Sequence, residues 1–132
     1  GHQGGDEVLQ DLANEMSALF STDDILGRLG GDEFLAFVKD IKGQKETVIK
    51  RIQELCAIMN RCYFRNGRRI EVSISVGIRE TDSGCTFENL YFEADQALYY
   101  IKQHGRNSFK EYDEMVEKEM GKNNIKKSKG AY

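Results

Sequence analysis

Two short apolar runs joined by Gly30-Gly31-Asp32-Glu33 constrain the fold of this chain more than any other feature. The runs, "DILGRL" and "FLAFV", have the length and composition of β-strands. A Gly-Gly pair between such runs favours a tight hairpin, because the turn requires positive φ angles that glycine adopts without steric cost. The sequence therefore predicts an antiparallel hairpin with two carboxylates at its tip.

The remaining apolar residues divide into helical and strand-like stretches. Spacings of three and four predict helices, and strict alternation from Ile70 to Val76 predicts a strand. That strand follows "RCYFR" and a turn at Asn66-Gly67, and "SFKEY" predicts a last short strand. This order predicts an α+β fold, with helices packed on a mostly antiparallel sheet. The predicted helices run from about Asp6 to Phe20, from about Gln44 to Asn60 and from about Thr86 to His104.

The composition excludes several classes of protein. With 132 residues, 39% of them hydrophobic and 31% charged, the chain is typical of one soluble globular domain. A net charge of −3 provides no general attraction to nucleic acid or to an acidic membrane surface. No apolar run approaches the roughly 20 residues of a membrane-spanning helix. Three cysteines without metal-type spacing indicate reduced thiols in a cytoplasmic protein.

The two carboxylates of the hairpin have two interpretations. Successive residues of a regular strand point to opposite faces, so Asp32 and Glu33 can converge on one ion only where a turn breaks the pleat. The preceding glycines would let a nucleotide approach bare backbone. Magnesium in phosphoryl-transfer sites is commonly held by one or two carboxylates. The alternative is an acidic, solvated turn, and the residues alone leave both possibilities open.

Three charged residues near predicted helix ends are also ambiguous. Lys102 and Arg106 are four apart, so they would project from the same side at the end of the third predicted helix. Cations there either complement the helix dipole or bind an anion. Asp6 stands where the first predicted helix begins, and the commonest use of aspartate at that point is as an N-cap.

Four blocks of sequence, in the same order, resemble the GGDEF domain, the catalytic module of diguanylate cyclases. They are "GHQGGDEVL", "RLGGDEF" (the signature), "SISVGI" and "ADQALYYIKQHGRNSF", and the similarity spans residues 1–112. The resemblance implies a palm-like α+β fold, similar to that of nucleotide cyclases and polymerases, with a mostly antiparallel central sheet flanked by helices. Residues 113–132, mostly charged and polar, would form a frayed helix and a mobile C-terminal extension.

For the catalytic centre, the resemblance implies that Asp32 is a metal ligand and the acid/base residue that activates a 3′-hydroxyl. Glu33 would be the second carboxylate, and the metal would be Mg²⁺ or Mn²⁺. The implied reaction condenses two GTP molecules into cyclic di-GMP and releases two pyrophosphates, in a homodimer whose two domains each hold one GTP. An alternative function is a catalytically inactive, GTP-binding regulatory module of a larger signalling protein. A purely structural dimerisation module is a third alternative.

For the substrate, the resemblance implies contacts from residues in several blocks. Lys102 and Arg106 would hold the triphosphate. Asp6 would accept hydrogen bonds from the N1 and N2 edge of guanine, a pattern that adenine lacks. Gly31 would leave room for the nucleotide, and His2 would also contact the substrate.

Two departures from the family pattern carry further expectations. The chain begins inside the pattern, at "GH", so the first strand, the start of the first helix and one metal-binding aspartate are expected to be missing. This fragment is therefore expected to be inactive.

Many relatives also carry an inhibitory product site, R-x-x-D, before the signature. Here Ser21 replaces the arginine and Asp24 holds the aspartate position. Without the guanidinium, no product inhibition is expected there. The parent would be a cytoplasmic or membrane-anchored protein with a sensory domain.

Overall fold

The computed structural model describes residues 2–21, 23–30, 33–81 and 84–129, with side chains described in 5–21, 23–28, 33–81 and 84–121. The chain divides into two compact units, Gly1–Ser73 and Ile74–Tyr132. Among the described residues the strands form three two-stranded sheets, two antiparallel and one parallel. The predicted α+β class with mostly antiparallel pairing is confirmed.

The first unit contains two hairpins and two helices in its described part. β1 pairs with β2, and β3 with β4, both antiparallel. The second hairpin turns at Asn66 and Gly67, whose φ angles of 52° and 76° are both in the left-handed region, as the Asn-Gly pair predicts. The elements are α1 (His2–Leu19), β1 (Ile25–Gly30), β2 (Glu33–Phe37), α2 (Lys45–Met59), β3 (Arg61–Arg65) and β4 (Arg68–Val72).

The beginning of α1 differs from the sequence prediction. The helix begins at His2 rather than near Asp6. Glycine lowers helix propensity but does not forbid a helix, so the pair Gly4-Gly5 is accommodated inside α1. Asp6 therefore lies within the helix, and its interpretation as an N-cap is wrong.

The core of the first unit lies along one face of each helix. The spacing of Leu12, Met16 and Phe20 on α1, and of Ile52, Leu55 and Met59 on α2, predicts these faces, but it does not single out Cys56 on α2 or Tyr63 on β3. Burial raises the pKa of the Cys56 thiol, and the three cysteines are free. The buried side chains are Leu12, Met16 and Phe20 on α1, Ile52, Leu55, Cys56 and Met59 on α2, and Tyr63 on β3.

The second unit contains a parallel pair of strands and two helices in its described part. Its elements are β5 (Val76–Ile78), α3 (Phe87–Gln103), β6 (Phe109–Glu111) and α4 (Glu114–Lys129). Thr86 caps α3 by accepting a hydrogen bond from the Asn89 N–H at 3.1 Å, in agreement with the predicted start of this helix. None of the helices in the described ranges is both long enough and apolar enough to cross a membrane.

The strand predicted over Ile70 to Val76 is interrupted in the structure. β4 ends at Val72 and β5 begins at Val76. The two halves have different partners, because β4 pairs with β3 whereas β5 pairs in parallel with β6, Val76 lying opposite Phe109. The alternation of apolar and polar residues indicates which face of a strand is buried. It does not indicate which other strand pairs with it.

The segment from residue 113 begins as an ordered helix. Asp113 caps α4, since its Oδ1 accepts a hydrogen bond from the Val116 N–H at 2.9 Å. Val116 and Met120 are buried against Ala97 and Tyr100 of α3. The first turns of α4 are therefore part of the core of the second unit. The predicted mobility of the C-terminal extension stays a prediction.

Candidate functional site

The signature hairpin, β1 with β2, places Glu33 at the first position of its second strand. Glu33 lies opposite Gly30, and the register shifts between Arg28 and Gly30. Gly31 and Asp32, which join the strands, lie outside the described residues. Within the described part of the chain, no three His, Cys, Asp or Glu side chains form a group that could hold a metal ion. The predicted hairpin is confirmed, and the metal site at its tip stays a prediction.

The loop before the signature hairpin is braced by Asp24. Its Oδ2 accepts a hydrogen bond from the Ser21 N–H at 2.9 Å, and its Oδ1 accepts one from the Lys39 N–H at 3.4 Å. The Ser21 hydroxyl accepts a bond from the Asp23 N–H at 3.2 Å. The carboxylate that occupies the aspartate position of R-x-x-D thus ties the start of β1 to the chain just after β2.

The α1 helix, which carries Asp6, is joined to β3 by a row of polar contacts. Arg61 lies 3.5 Å from Asp11 and 3.6 Å from Glu15, and Arg65 pairs with Glu7. The acidic residues are four apart, so they follow one face of α1.

Tyr63 adds a hydrogen bond in the middle of this row, because its hydroxyl donates to Asp11 at 2.7 Å. Burial and then the bond to Asp11 raise the pKa of Tyr63. Asp6 itself is exposed, as a residue that contacts a ligand must be. The side chain of His2 lies outside the described residues.

In the second unit, Lys102 and Arg106 lie at the end of α3. Lys102 is exposed in the last helical turn. Arg106 lies beyond the helix, because α3 ends at Gln103 and Gly105, with a φ of 105°, reverses the chain. The expectation that both residues project from one helical face is therefore wrong, since the spacing rule holds only inside a helix. Instead, the Arg106 N–H donates to the Ile101 carbonyl at 3.0 Å, next to Lys102.

His104, between the two basic residues, links α3 to α4. Its ring stacks on Tyr100 with centroids 3.9 Å apart, and its Nδ1 donates to the Tyr100 carbonyl at 2.7 Å. Its Nε2 lies 3.5 Å from Glu119 of α4. The sequence prediction missed this contact. A histidine at a helix C-terminus is a local signal for a bond to the last carbonyls, but the partner on α4 is 15 residues away.

Close packing between β5 and α3 positions the helix that carries Lys102. A Cβ added at Gly77 would lie 2.1 Å from the Ala94 carbonyl oxygen and 2.4 Å from the Leu98 nitrogen. These are backbone atoms, which cannot move aside as a flexible side chain can. Gly77 is therefore required for the approach of α3, and the glycine that directly follows the predicted strand, in the block "SISVGI", is the sequence signal for it.

The structure thus divides the predicted residues between its two units. Glu33 and Asp6 belong to the first unit, and Lys102 and Arg106 belong to the second. Within the second unit, Lys102 and Arg106 lie on one continuous segment. The roles implied for all of these residues stay predictions.

Comparison with known proteins gives a consistent result. The sequence profile described as "Diguanylate cyclase, GGDEF domain" matches residues 1–108. The bifunctional diguanylate cyclase/cyclic di-GMP phosphodiesterase MucR of Pseudomonas aeruginosa is 33% identical over 114 residues, covering 83% of this chain and 16% of that protein. Diguanylate cyclase A of Treponema denticola is 29% identical over 109 residues, covering 81% of this chain and 29% of that protein.

The fold agrees with the sequence matches. The GGDEF domain of DgcB from Caulobacter crescentus, solved in complex with c-di-GMP, superposes with a TM-score of 0.74 at 26% identity. That match covers 85% of this chain and 67% of the solved one. The chain spans less than a third of the length of the two curated relatives. Because the family profile covers most of its length, from residue 1 to residue 108, the chain belongs to the GGDEF domain family of diguanylate cyclases.

Proposed function

We propose that the protein to which this domain belongs synthesises cyclic di-GMP by condensing two GTP molecules, with release of two pyrophosphates. The observation that carries the proposal is the signature hairpin, in which the residue after Asp32 opens β2 directly opposite Gly30. Because successive side chains need not diverge at the tip of a hairpin, the carboxylates of Asp32 and Glu33 would be able to converge on one ion there. Similarity to curated relatives, among them diguanylate cyclase A of Treponema denticola, supports the same reaction.

The carboxylates of Asp32 and Glu33 fit a hard divalent cation. Carboxylate oxygens are the ligands that Mg²⁺ and Mn²⁺ prefer, whereas a thiol-rich or imidazole-rich set would favour other metals. The bound cation would supply Lewis-acid stabilisation of charge on the phosphate oxygens. Asp32 would accept the proton of the attacking 3′-hydroxyl, and Glu33 would keep the metal site anionic.

The remaining contacts would hold and orient GTP. Lys102 and Arg106 would donate charge-assisted hydrogen bonds to the triphosphate, and these bonds strengthen as charge builds on the leaving pyrophosphate. Asp6 would accept hydrogen bonds from guanine N1 and N2, with His2 nearby. Gly31 has no side chain, so the nucleotide could approach its backbone closely.

Two copies of the domain would face each other around a two-fold axis, since each 3′-hydroxyl must attack the α-phosphate held by the other copy. Holding both nucleotides in line converts a bimolecular reaction into an effectively unimolecular one. The use of GTP favours a cytoplasmic location, and the parent protein would carry a sensory domain that controls how the two copies meet.

The test is a synthesis assay on the full-length gene product with GTP and Mg²⁺, with cyclic di-GMP measured by mass spectrometry. Asp32→Asn and Glu33→Gln should each lower the rate by about two orders of magnitude, the scale of losing one group that stabilises a transition state. Asp40→Asn is a matched control, because Asp40 is an exposed carboxylate of the same unit that follows β2. Its φ of 56° suits asparagine as well as aspartate.

Two results would contradict the proposal in different ways. Tight binding of GTP without synthesis by the unaltered protein would support the alternative of a regulatory, GTP-binding module. Failure to bind GTP in the presence of Mg²⁺ would overturn both functions.

A further inference from the structure

The segment that carries Arg106 has an unusual backbone. Gly105, Arg106 and Asn107 have φ angles of 105°, 60° and 52°, so three consecutive residues lie in the left-handed region. Glycine adopts this region freely, whereas arginine pays a steric cost there because of its Cβ. Such a run persists only where neighbouring groups hold it.

Hydrogen bonds hold this segment from two sides. On the helix side, the Arg106 N–H donates to the Ile101 carbonyl at 3.0 Å. On the strand side, the Asn107 N–H donates to the hydroxyl oxygen of Ser75 at 3.2 Å. The carbonyl of the next residue, Ser108, accepts a bond from the Val76 N–H at 2.9 Å. Arg106 is thus fixed between the end of α3 and the start of β5.

The strand that follows Ser75 is hydrogen-bonded and closely packed. Ser75 directly precedes β5, which pairs with β6, and the Tyr112 N–H extends that ladder by donating to the Ile78 carbonyl at 2.8 Å. Two residues after Ser75, the backbone of α3 packs so closely that Gly77 admits no Cβ. A hydroxyl next to such a closely packed strand can fix the position of a neighbouring loop, because packing determines its own position.

We propose that Ser75 is a positioning residue for GTP. Its hydroxyl accepts the Asn107 N–H, holds the left-handed segment Gly105–Asn107, and thereby aims the Arg106 guanidinium at the triphosphate. This inference rests on the proposed function, since it assumes that Arg106 contacts GTP. Ser75 itself does not touch the substrate. Its hydroxyl acts through the backbone of the residue that follows Arg106.

The first measurement tests the hydrogen bond itself. Amide hydrogen exchange at Asn107, followed by NMR, should become about three- to tenfold faster in Ser75→Ala, the range that corresponds to one ordinary hydrogen bond. Ser75→Thr keeps the hydroxyl and should restore protection. Ser73→Ala is the matched control, since Ser73 is an exposed serine two residues earlier. It should exchange like the unaltered protein.

The second measurement tests the positioning role on the full-length gene product. Ser75→Ala should raise the KM for GTP about three- to tenfold, with a smaller change in kcat, and Ser75→Thr should restore the KM. Arg106→Ala should raise the KM further, because a charged group is lost. If Ser75 acts through Arg106, the double variant should be no worse than Arg106→Ala alone.

The outcomes separate this inference from the proposed function. An unchanged KM in Ser75→Ala, beside an impaired Arg106→Ala, overturns the positioning role alone. Additive losses in the double variant do so as well, because they show that Ser75 acts independently of Arg106. An unchanged KM in Arg106→Ala overturns the proposed triphosphate contact, and the positioning role with it.

Discussion

A strand glycine in the first unit and one in the second have opposite surroundings. Gly27 of β1, in the signature hairpin, has open space around it, and an added Cβ would meet no atom within 4 Å. At Gly77 of β5 an added Cβ would lie 2.1 Å from a backbone oxygen of α3. The signature hairpin therefore has room for a side chain at Gly27, whereas the position of the basic residues of the second unit depends on tight packing between a strand and a helix.

This difference has a functional consequence. The acidic half of the predicted site is carried by a locally determined hairpin, so substitutions there should change chemistry more than folding. The basic half is carried by the end of α3, whose position depends on β5, β6 and α4. Substitutions at a distance from Lys102 and Arg106 should therefore disturb the second unit more than equivalent substitutions disturb the first.

The largest expected effect is on the free energy of unfolding, and it compares substitution of Gly77 with substitution of Gly27. Gly77→Ala should lower the free energy of unfolding by about 3 kcal/mol, because the new methyl group overlaps backbone atoms that cannot relax without separating α3 from β5. Gly27→Ala, the matched control, should change it by less than about 0.5 kcal/mol. Urea unfolding followed by circular dichroism measures both. Equal effects at the two positions would contradict the contrast.

A smaller effect is expected from the cap of α4. Asp113→Ala should lower the free energy of unfolding by about 1 kcal/mol, because the Val116 N–H loses its acceptor. Urea unfolding at neutral pH measures the loss. Asp95→Ala, an exposed aspartate of α3, is the control and should cost less. If Asp113→Ala costs no more than this control, the cap does not contribute to the stability of the second unit.

The same cap should respond to acid. The hydrogen bond from Val116, and then Lys110, lower the pKa of Asp113 in the folded state. A depressed folded-state pKa adds stability above the unfolded value of about 3.9, and this stability is lost as the pH falls through the folded-state pKa. The difference between the unaltered protein and Asp113→Ala should therefore shrink on acidification below about pH 4. An unchanged difference would contradict the assignment.

In the first unit, the contact between Tyr63 and Asp11 should contribute a similar or smaller amount. Tyr63→Phe should cost about 1 kcal/mol, since it removes the hydroxyl that donates to the carboxylate. A cycle with Asp11→Asn separates this bond from other effects, and the two losses should not add. Additive losses would show that the bond does not join α1 to β3.

Alkaline pH provides a second readout of Tyr63. Burial raises its folded-state pKa, so its contribution to stability is present below the unfolded value of about 10 and is lost as the pH rises through the folded-state pKa. Tyr63→Phe should therefore lose less stability than the unaltered protein above pH 10. Tyr112, whose pKa burial also raises, is retained in both proteins and serves as the internal reference. Equal losses in the two proteins would contradict the prediction.

The smallest expected effect is at Asp24. Its carboxylate already accepts hydrogen bonds from the Ser21 and Lys39 backbones, and Ser21 stands where an arginine would be needed to bind a guanine base and a phosphate. Asp24→Ala should leave the affinity for cyclic di-GMP unchanged, as measured by calorimetric titration. Tight binding that is lost in this variant would contradict the absence of a product site here.

Local chemistry accounts for the features that the sequence predicted correctly. Asn66-Gly67 predicted the turn of the second hairpin, because positive φ angles are a property of the turn residues themselves, and Gly30-Gly31 predicted the antiparallel pairing of β1 with β2. The buried faces of α1 and α2 followed from apolar spacing, whereas on α3 the spacing placed Phe87 on the buried stripe, although this side chain is 54% exposed. In the candidate site, the hairpin that carries Glu33 belongs to this group.

Contacts between distant residues account for the features that the sequence did not predict. The parallel partner of β5, the seating of Val116 and Met120 on α3, and the bond from Asn107 to Ser75 all join segments that are far apart in the chain. Nothing in a local pattern specifies the partner in such a pair, because the stabilising energy exists only when both segments are in place.

By itself, the amino-acid sequence predicted the family, the two hairpins and the core faces of α1 and α2, and it also predicted residues for GTP and a metal ion, whose roles stay predictions. Each of these depends on residue type and short-range spacing. Only the tertiary structure decided that Arg106 leaves the helix in a left-handed turn and that this turn is held by Ser75. The backbone conformation of Arg106 depends on neighbours from β5 and α3, and their approach depends on the missing side chain of Gly77.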